Sequence, residues 1–402
     1  MALLLVPSVD DRLVDAVAPS ERFVRKAGLA YFTTGENHDY LADEILLLSP
    51  QEADQAMQAG NEAFTLLRQT ARRCLTDPGR LKLLGIPDWC RPLLKWSVEN
   101  EWDDYLFGRF DFAGGIDGLP LRLIEFNADT CSLLPETALL QPEVISRSKQ
   151  RPAPNRLAES LQATLTRIAA ARKGSVGLFA HLGYPEDRIN ADFLAQRATA
   201  ARWKQTLTLA LPEATFDPDN GLVAEPTPGR AVRFYYLIKY FPWDWIALEE
   251  SSLWEMLEEM ITERFVRVLN PAWSFLLQSK ALLAFAYQDH PGHPLLLPTV
   301  FDPSELPDPR RGYVRKPVFG RTGENIMVSL DGRRTDAERK GDYGHLPSVY
   351  QQLAPFATDR EQQRYQLSTF VTPEASALCC RRQDDLILDD DAEFVSLGLL
   401  RR

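Results

Sequence analysis

The stretch that decides the fold runs Tyr105-Leu106-Phe107-Gly108-Arg109-Phe110-Asp111-Phe112, then Ala113-Gly114-Gly115-Ile116-Asp117-Gly118, then Leu121-Arg122-Leu123-Ile124-Glu125-Phe126-Asn127. Apolar and polar residues alternate on either side of a Gly-rich turn, which is the pattern of a β-hairpin. Arg109 and Asp111 share a face of the first strand, and Glu125 and Asn127 share a face of the second. A three-residue loop, Asp117-Gly118-Leu119, sets Asp111 across from Glu125 and Arg109 across from Asn127. A two-residue loop slips the register by one and parts the pairs. Facing carboxylates raise one another's pKa unless a cation is present. Asp111, Glu125 and the Asn127 carbonyl are oxygen donors of the kind that hold Mg²⁺ together with substrate phosphates. Arg109 is then placed to stabilise charge on a transferring phosphoryl group. The plain alternative is a solvated face with an Arg–Asp pair, which is worth little.

Two further places carry cations. Lys316-Pro317-Val318-Phe319-Gly320-Arg321-Thr322-Gly323 delivers a Lys at a strand end, then two glycines around an Arg. Such a loop can cradle phosphate on backbone N–H groups, or can be a simple Gly-rich turn. It is neither a Walker A nor a Rossmann sequence. Lys280 stands among Leu276, Leu277, Leu282 and Leu283, either snorkelling or reaching a nucleotide phosphate. His290 and His293 flank Pro291-Gly292 on a loop without a third ligand nearby, and Asp389-Asp390-Asp391 reads as a solvated turn. No G-x-S-x-G or H-E-x-x-H motif occurs, so serine-hydrolase and zinc-protease chemistry finds no template.

Outside the hairpin, residues 1–95 read as mostly helical, with a helix from Gln51 to Thr76 stopped by Asp77-Pro78-Gly79. A helix begins at Pro135, and Leu157 to Lys173 is amphipathic. The strand Ser175–Ala180 followed by a helix from Ile189 to Ala201 suggests a small α/β lobe. Residues 212–230 read as a surface loop, and Val232–Tyr240 as one strand. Ser251–Leu269 reads as one helix capped at Ser252, and Trp273–Tyr287 as another. Tyr313–Val318, Leu367–Val371, Ala377–Cys380 and Leu386–Leu388 read as strands. The expected lobes are 1–150, 151–250 and 251–402.

The 402 residues include 45 Lys+Arg against 56 Asp+Glu, a net charge of −11, which argues against a nucleic-acid surface. Charged residues at 25% and aromatics at 10% sit at globular averages and exclude wholesale disorder. No apolar run reaches the ~18 residues of a membrane span, and Met1–Val6 lacks the length and charge of a secretory signal. Five cysteines without a CxxC spacing point to reduced thiols in the cytoplasm, with Cys379 and Cys380 on opposite faces of a strand.

Taken together, the motifs resemble the synthetase domain of glutathionylspermidine synthases, which also occurs alone in bacterial proteins described as acid–amine ligases. The resemblance rests on residues 107–112 and 123–130, then Lys239 with Tyr240-Phe241-Pro242-Trp243-Asp244-Trp245, Asn270-Pro271-Ala272-Trp273, Ser279-Lys280-Ala281-Leu282-Leu283, residues 316–323, and Val349-Tyr350-Gln351. It covers nearly the whole chain and leaves no room for the amidase half of the bifunctional enzymes. It implies an α/β, ATP-grasp-like fold with a mixed sheet core. The implied activity is ATP- and Mg²⁺-dependent joining of a peptide-like carboxylate to an amine through an acyl phosphate. By motif match Asp111, Glu125 and Asn127 would hold Mg²⁺, and Arg109 would steady the transferring phosphate. Lys280, Lys316, Gln351 and the loop Gly320, Arg321, Thr322, Gly323 would contact ATP. Thr130 and Ser132 would meet the carboxylate substrate.

The chain departs from the family at Cys131-Ser132, at Asn270 before Pro271, at Arg382, which stands where an acidic residue is usual, and at Ser396-Leu397. Two other readings remain: a nucleotide- or partner-binding protein on the same scaffold without turnover, and a metal-dependent phosphohydrolase using only the hairpin carboxylates.

Overall fold

Nine strands form the sheet that carries the hairpin in this computed structural model, which describes residues 8–33, 39–170, 175–217 and 221–401. The central order is Leu13–Asp15, Leu41–Leu48, Glu393–Leu399, Glu374–Gln383, Arg364–Thr372, Gly108–Ala113, Arg122–Asn127. Neighbours are antiparallel except Leu41–Leu48 against Glu393–Leu399, which run parallel. The hairpin therefore sits at one edge, and its first strand is fixed by the long C-terminal strand Arg364–Thr372.

The helix Pro50–Thr76 lies across this sheet. Ser49 and Glu52 start it with a reciprocal capping box, and the Glu52 carboxylate also reaches Arg12 and the backbone N–H of Asp117 in the hairpin turn. Its sheet-facing stripe is small: Ala53, Ala56, Ala59, Gly60 and Ala63 are buried. A Cβ on Gly60 would come within 2.6 Å of the Thr369 methyl, so only glycine allows so close an approach of helix to strand.

Three further sheets complete the fold. Arg267–Leu269, Tyr236–Tyr240, Val176–His181 and Gln205–Ala210 make a parallel sheet, with the helix Pro185–Ala200 following its central strand. An antiparallel five-stranded sheet contains Tyr313–Pro317 and Ser348–Gln352. No helix of the described residues is long and apolar enough to cross a membrane. The opening segment Met1–Val6 and the residues following Ala170 in the expected helix 157–173 lie outside the described residues.

Several expectations are overturned. The first 95 residues contribute two strands to the main sheet beside their helices. Residues 212–230 are not a loop: Thr215–Asp217, Gly221–Thr227 and Arg230–Phe234 pair as a small antiparallel sheet. The stretch 232–240 is split between that sheet and the parallel one at Tyr235. The helix from Ser251 ends at Thr262, is preceded by Glu250 without a side-chain cap, and gives way to the strand Arg267–Leu269. Apolar Val266, Val268 and Leu269 suit either structure, and pairing with Tyr236–Ile238 decides for strand. Residues 386–388 are not a strand. Asp389 is no solvated turn residue, being buried and bonded to Arg339 and Gln383. Cys379 and Cys380 do enter different core clusters, and all five cysteines are buried and free.

Candidate active site

The hairpin register is the expected one, reached by another route. Arg109 pairs with Asn127 and Asp111 with Glu125, but Phe112 pairs with Leu123, so Ile124 is the extra residue of a bulge. Residues 114–121 connect the strands in place of the three-residue loop. The bulge leaves the Ile124 carbonyl to accept from Lys316 Nζ at 2.8 Å. One irregularity thus aligns the carboxylates and anchors a lysine.

Arg109 and Asp111 are buried, at 6% and 3% exposure, which removes the solvated-face alternative. Arg109 donates to both Asp111 oxygens, from Nε at 2.8 Å and from Nη2 at 3.0 Å. Its Nη1 reaches the Ser132 carbonyl at 3.1 Å. Asp111 also accepts from Asn127 Nδ2 at 2.9 Å and from Ser368 Oγ at 2.7 Å. Burial opposes the Arg109 charge, but Asp111 outweighs it and holds the guanidinium more firmly protonated than usual.

Lys280 stands 3.0 Å from Glu125 Oε1 and donates to the Gly320 carbonyl at 2.9 Å. It gets there because the expected helix 273–287 is interrupted. Ser274–Gln278 and Ala281–Asp289 are separate helices. At the break the Lys280 N–H bonds to the Val318 carbonyl at 2.8 Å, and Ser279 Oγ to the Leu84 carbonyl at 2.7 Å. Burial alone would raise the Glu125 carboxyl, yet Lys280 and Lys316 hold it below the ordinary glutamate range.

These groups open into a cleft of about 1070 Å³. Arg109, Asp111, Glu125, Asn127, Thr130, Ser132, Lys280, Gly320, Arg321, Thr322 and Gly323 all line it. Lys316 and Gln351 do not: they lie behind the wall, bonded to each other at 2.8 Å. Burial pushes the Lys316 ammonium down to about 8, with Glu125 opposing and Lys280 adding to the effect. Positive φ at Gly320, Thr322 and Gly323 shapes the loop, and a Cβ on Gly323 would come within 2.7 Å of the Ile387 side chain.

The sequence assigns none of the other lining residues to a site: Asp244 is only part of the family motif, and Asp390 belongs to the expected solvated turn. Glu186, Asp187, Asp244 and Asp390 give the cleft an acidic side, and Arg381 and Gln366 stand across adjacent strands. Burial, reinforced by Glu186 and opposed by Arg321, pushes the Asp187 carboxyl up to about 7. Strand alternation carries Arg381 into the cleft and Arg382 away from it. Arg382 instead meets Glu44, Asp43 and Glu393, so the substituted arginine is neutralised behind the sheet. The same alternation could have indicated Ser368, had its pairing with Asp111 been known.

Some motif residues are structural ties. Lys239 and Asp129 form a fully buried pair at 2.7 Å, and Asp129 also accepts from the Trp243 N–H. Asn270 accepts from the N–H groups of Leu106 and Phe107 and donates to the Phe107 carbonyl. Together they hold the entry and exit of the hairpin. The His290–His293 loop lies apart, with His293 Nε2 on Glu62 at 3.0 Å.

The donor set suits a hard cation. No group of three or more His, Cys, Asp or Glu residues among the described residues could hold a metal alone. Two carboxylates and an amide carbonyl fit Mg²⁺, which retains water and shares substrate phosphates. Asp111 already takes four hydrogen bonds, so it would exchange one of them on joining such an ion, whereas Glu125 is engaged at one oxygen by Lys280.

Residues 14–399 match the family model described as glutathionylspermidine synthase preATP-grasp. A Haemophilus influenzae protein named "Putative acid–amine ligase" is 32% identical over 65% of this chain and 66% of its own length. Trypanothione synthetase of Crithidia fasciculata is 26% identical over 73% of this chain and 47% of its length. The bifunctional glutathionylspermidine synthetase/amidase of Escherichia coli is 24% identical over 88% and 59%. The chain thus spans less than two thirds of each of these relatives. Among solved structures, a glutathione synthetase-like effector from Globodera pallida superposes over 89% of both chains with a TM-score of 0.54 at 13% identity, which bears on the fold alone.

Proposed function

Since the chain belongs to the glutathionylspermidine synthase family, we propose that it is an ATP- and Mg²⁺-dependent ligase joining a carboxylate to an amine. The observation that carries this reading is the juxtaposition, in one cleft, of the buried Arg109–Asp111 pair, the Glu125–Lys280 pair and the Gly-rich loop. The fixed cations Arg109 and Lys280 would stabilise charge as phosphoryl moves from ATP to the carboxylate, and Lys316 would add to them from behind the wall. Glu125, Asn127 and Asp111 would hold Mg²⁺, whose chemistry is neutralisation of phosphate charge. Thr130 and Ser132 would seat the carboxylate beside Arg109. The amine, drawn in as its cation by Glu186, Asp187 and Asp390, would give up a proton to solvent and attack the acyl phosphate, forming the C–N bond as the acyl C–O bond breaks and phosphate leaves with the second proton. Holding the reactants side by side supplies most of the remaining advantage.

A scaffold without turnover is not favoured. The residues that the resemblance assigns to ATP and Mg²⁺ are present in the chain, and the side chain of Arg382, where an acidic residue is usual, faces away from the cleft.

The test is calorimetry of ATP with and without Mg²⁺, followed by ADP release with panels of peptide-like acids and polyamines. Mg²⁺-dependent binding lost in Asp111→Ala, together with ADP release that needs both an acid and an amine, is the expected result. A folded protein that ignores ATP under both conditions overturns the reading.

A further inference from the structure

The cation of the Gly-rich loop is aimed at a carboxylate on another wall of the cleft. Arg321 Nη2 donates to Asp244 Oδ2 at 2.5 Å, and Nη1 to the Tyr343 hydroxyl at 2.7 Å. Asp244 belongs to the helix Trp243–Glu249, which follows a strand of the parallel sheet, whereas Arg321 follows the strand Tyr313–Pro317 of the antiparallel one. The loop's bonds through Glu324 to the Asp342 N–H and through Asn325 to the Tyr343 N–H are local, and Lys280 holds the Gly320 carbonyl at the loop's start without reaching the helix. On its other flank Gly323 packs against Ile387. The Arg321–Asp244 bond is therefore the tie that carries the loop across to the helix.

Asp244 is 3% exposed, its Oδ1 has no hydrogen-bond partner, and among the described residues Arg321 alone forms a salt bridge with it. A buried carboxylate with a single cation partner is costly to leave unpaired. We infer that Asp244 is a positioning residue whose carboxylate draws Arg321 across the cleft and holds the Gly-rich loop shut. Closure is then set by the chain's own residues, and a nucleotide meets a loop already in place, which saves ordering cost on binding. The consequence for nucleotide rests on the ligase reading, but the tie itself does not.

Trypsin offers a direct test, because it must take the Arg321 guanidinium into its own pocket in competition with Asp244. Cutting after Arg321, followed by mass spectrometry on the full chain, should be slow in the wild type. In Asp244→Asn it should rise about tenfold, as loss of one charge-assisted hydrogen bond implies when cleavage tracks the open population. Cuts after Arg315 and Arg339 should be unchanged, and Asp244→Glu should restore slow cutting. An unchanged rate at Arg321, or equal acceleration at every site, overturns the proposal, the latter because it signals general loosening. ATP with Mg²⁺ added to Asp244→Asn separates the two readings. Renewed protection supports both. Selective cutting that ATP leaves untouched keeps the tie and removes the nucleotide reading.

Discussion

The two ends of the cleft are built on opposite plans. At the hairpin end, Asp111 receives four hydrogen bonds from Arg109, Asn127 and Ser368, each side chain on a strand of one continuous sheet. At the loop end, Asp244 receives one bond from Arg321, and its other oxygen receives none. Both carboxylates are buried, so burial does not distinguish them. Redundancy does. A carboxylate held by several donors on strands keeps its geometry while charge moves beside it, as electrostatic preorganisation requires. A carboxylate held by one donor on a loop keeps that loop in place through a single bond, so one substitution is enough to release it.

The comparison breaks first at the hairpin. Asp111→Ala should lower ADP formation by about 10²–10³-fold and, by stranding Arg109, should destabilise the fold by about 3–5 kcal/mol. A coupled ADP assay and thermal unfolding measure the two effects, and near-normal turnover would mean that the rigid end is not the chemical end. Ser368→Ala removes one donor to Asp111 and should weaken Mg²⁺ dependence by about 10–100-fold. Titrating Mg²⁺ at saturating ATP shows it, and an unaltered curve would make the redundancy dispensable.

Two smaller effects concern pH. Lys316, pushed to about 8 by burial, is charged below that pH and neutral above it. ATP affinity should fall by up to about tenfold per pH unit above 8, and Lys316→Met should flatten the profile. Because the folded pKa lies below the unfolded one, the same lysine adds stability as pH rises from about 8 toward the ordinary lysine value. Asp187, pushed to about 7, is ionised above that pH. The KM for a cationic amine should therefore drop about threefold to tenfold between pH 6 and 8, and Asp187→Asn should abolish the dependence. A pH-independent KM in the wild type would take the amine away from the acidic side.

Local pattern made the hairpin legible. Alternation on both sides of a Gly-rich turn needs no distant partner, and it identified Arg109, Asp111, Glu125 and Asn127 together. The Gly-rich loop was legible for the same reason. Lys280 was found as a charge among leucines, but the helix break that aims it was not, because the break answers to the Val318 carbonyl. Residues 212–230 misled through their Pro and Gly content, and the end of the helix from Ser251 misled because apolar β-branched residues serve helix and strand alike. The acidic side was missed because Glu186 and Asp187 come from one helix and Asp390 from a distant turn.

By itself, the sequence determined the hairpin, its four polar residues, the cations that accompany them and the family to which they point. These are properties of short stretches, where period and composition act without help. The tertiary structure alone decided which strand lies beside the hairpin, that a bulge at Ile124 sets its register, that Ser368 steadies Asp111, and that Arg321 crosses the cleft to Asp244. Each is a contact between residues far apart in the chain. Such contacts are selected by burial and hydrogen-bond satisfaction over the whole fold, and no local pattern records them.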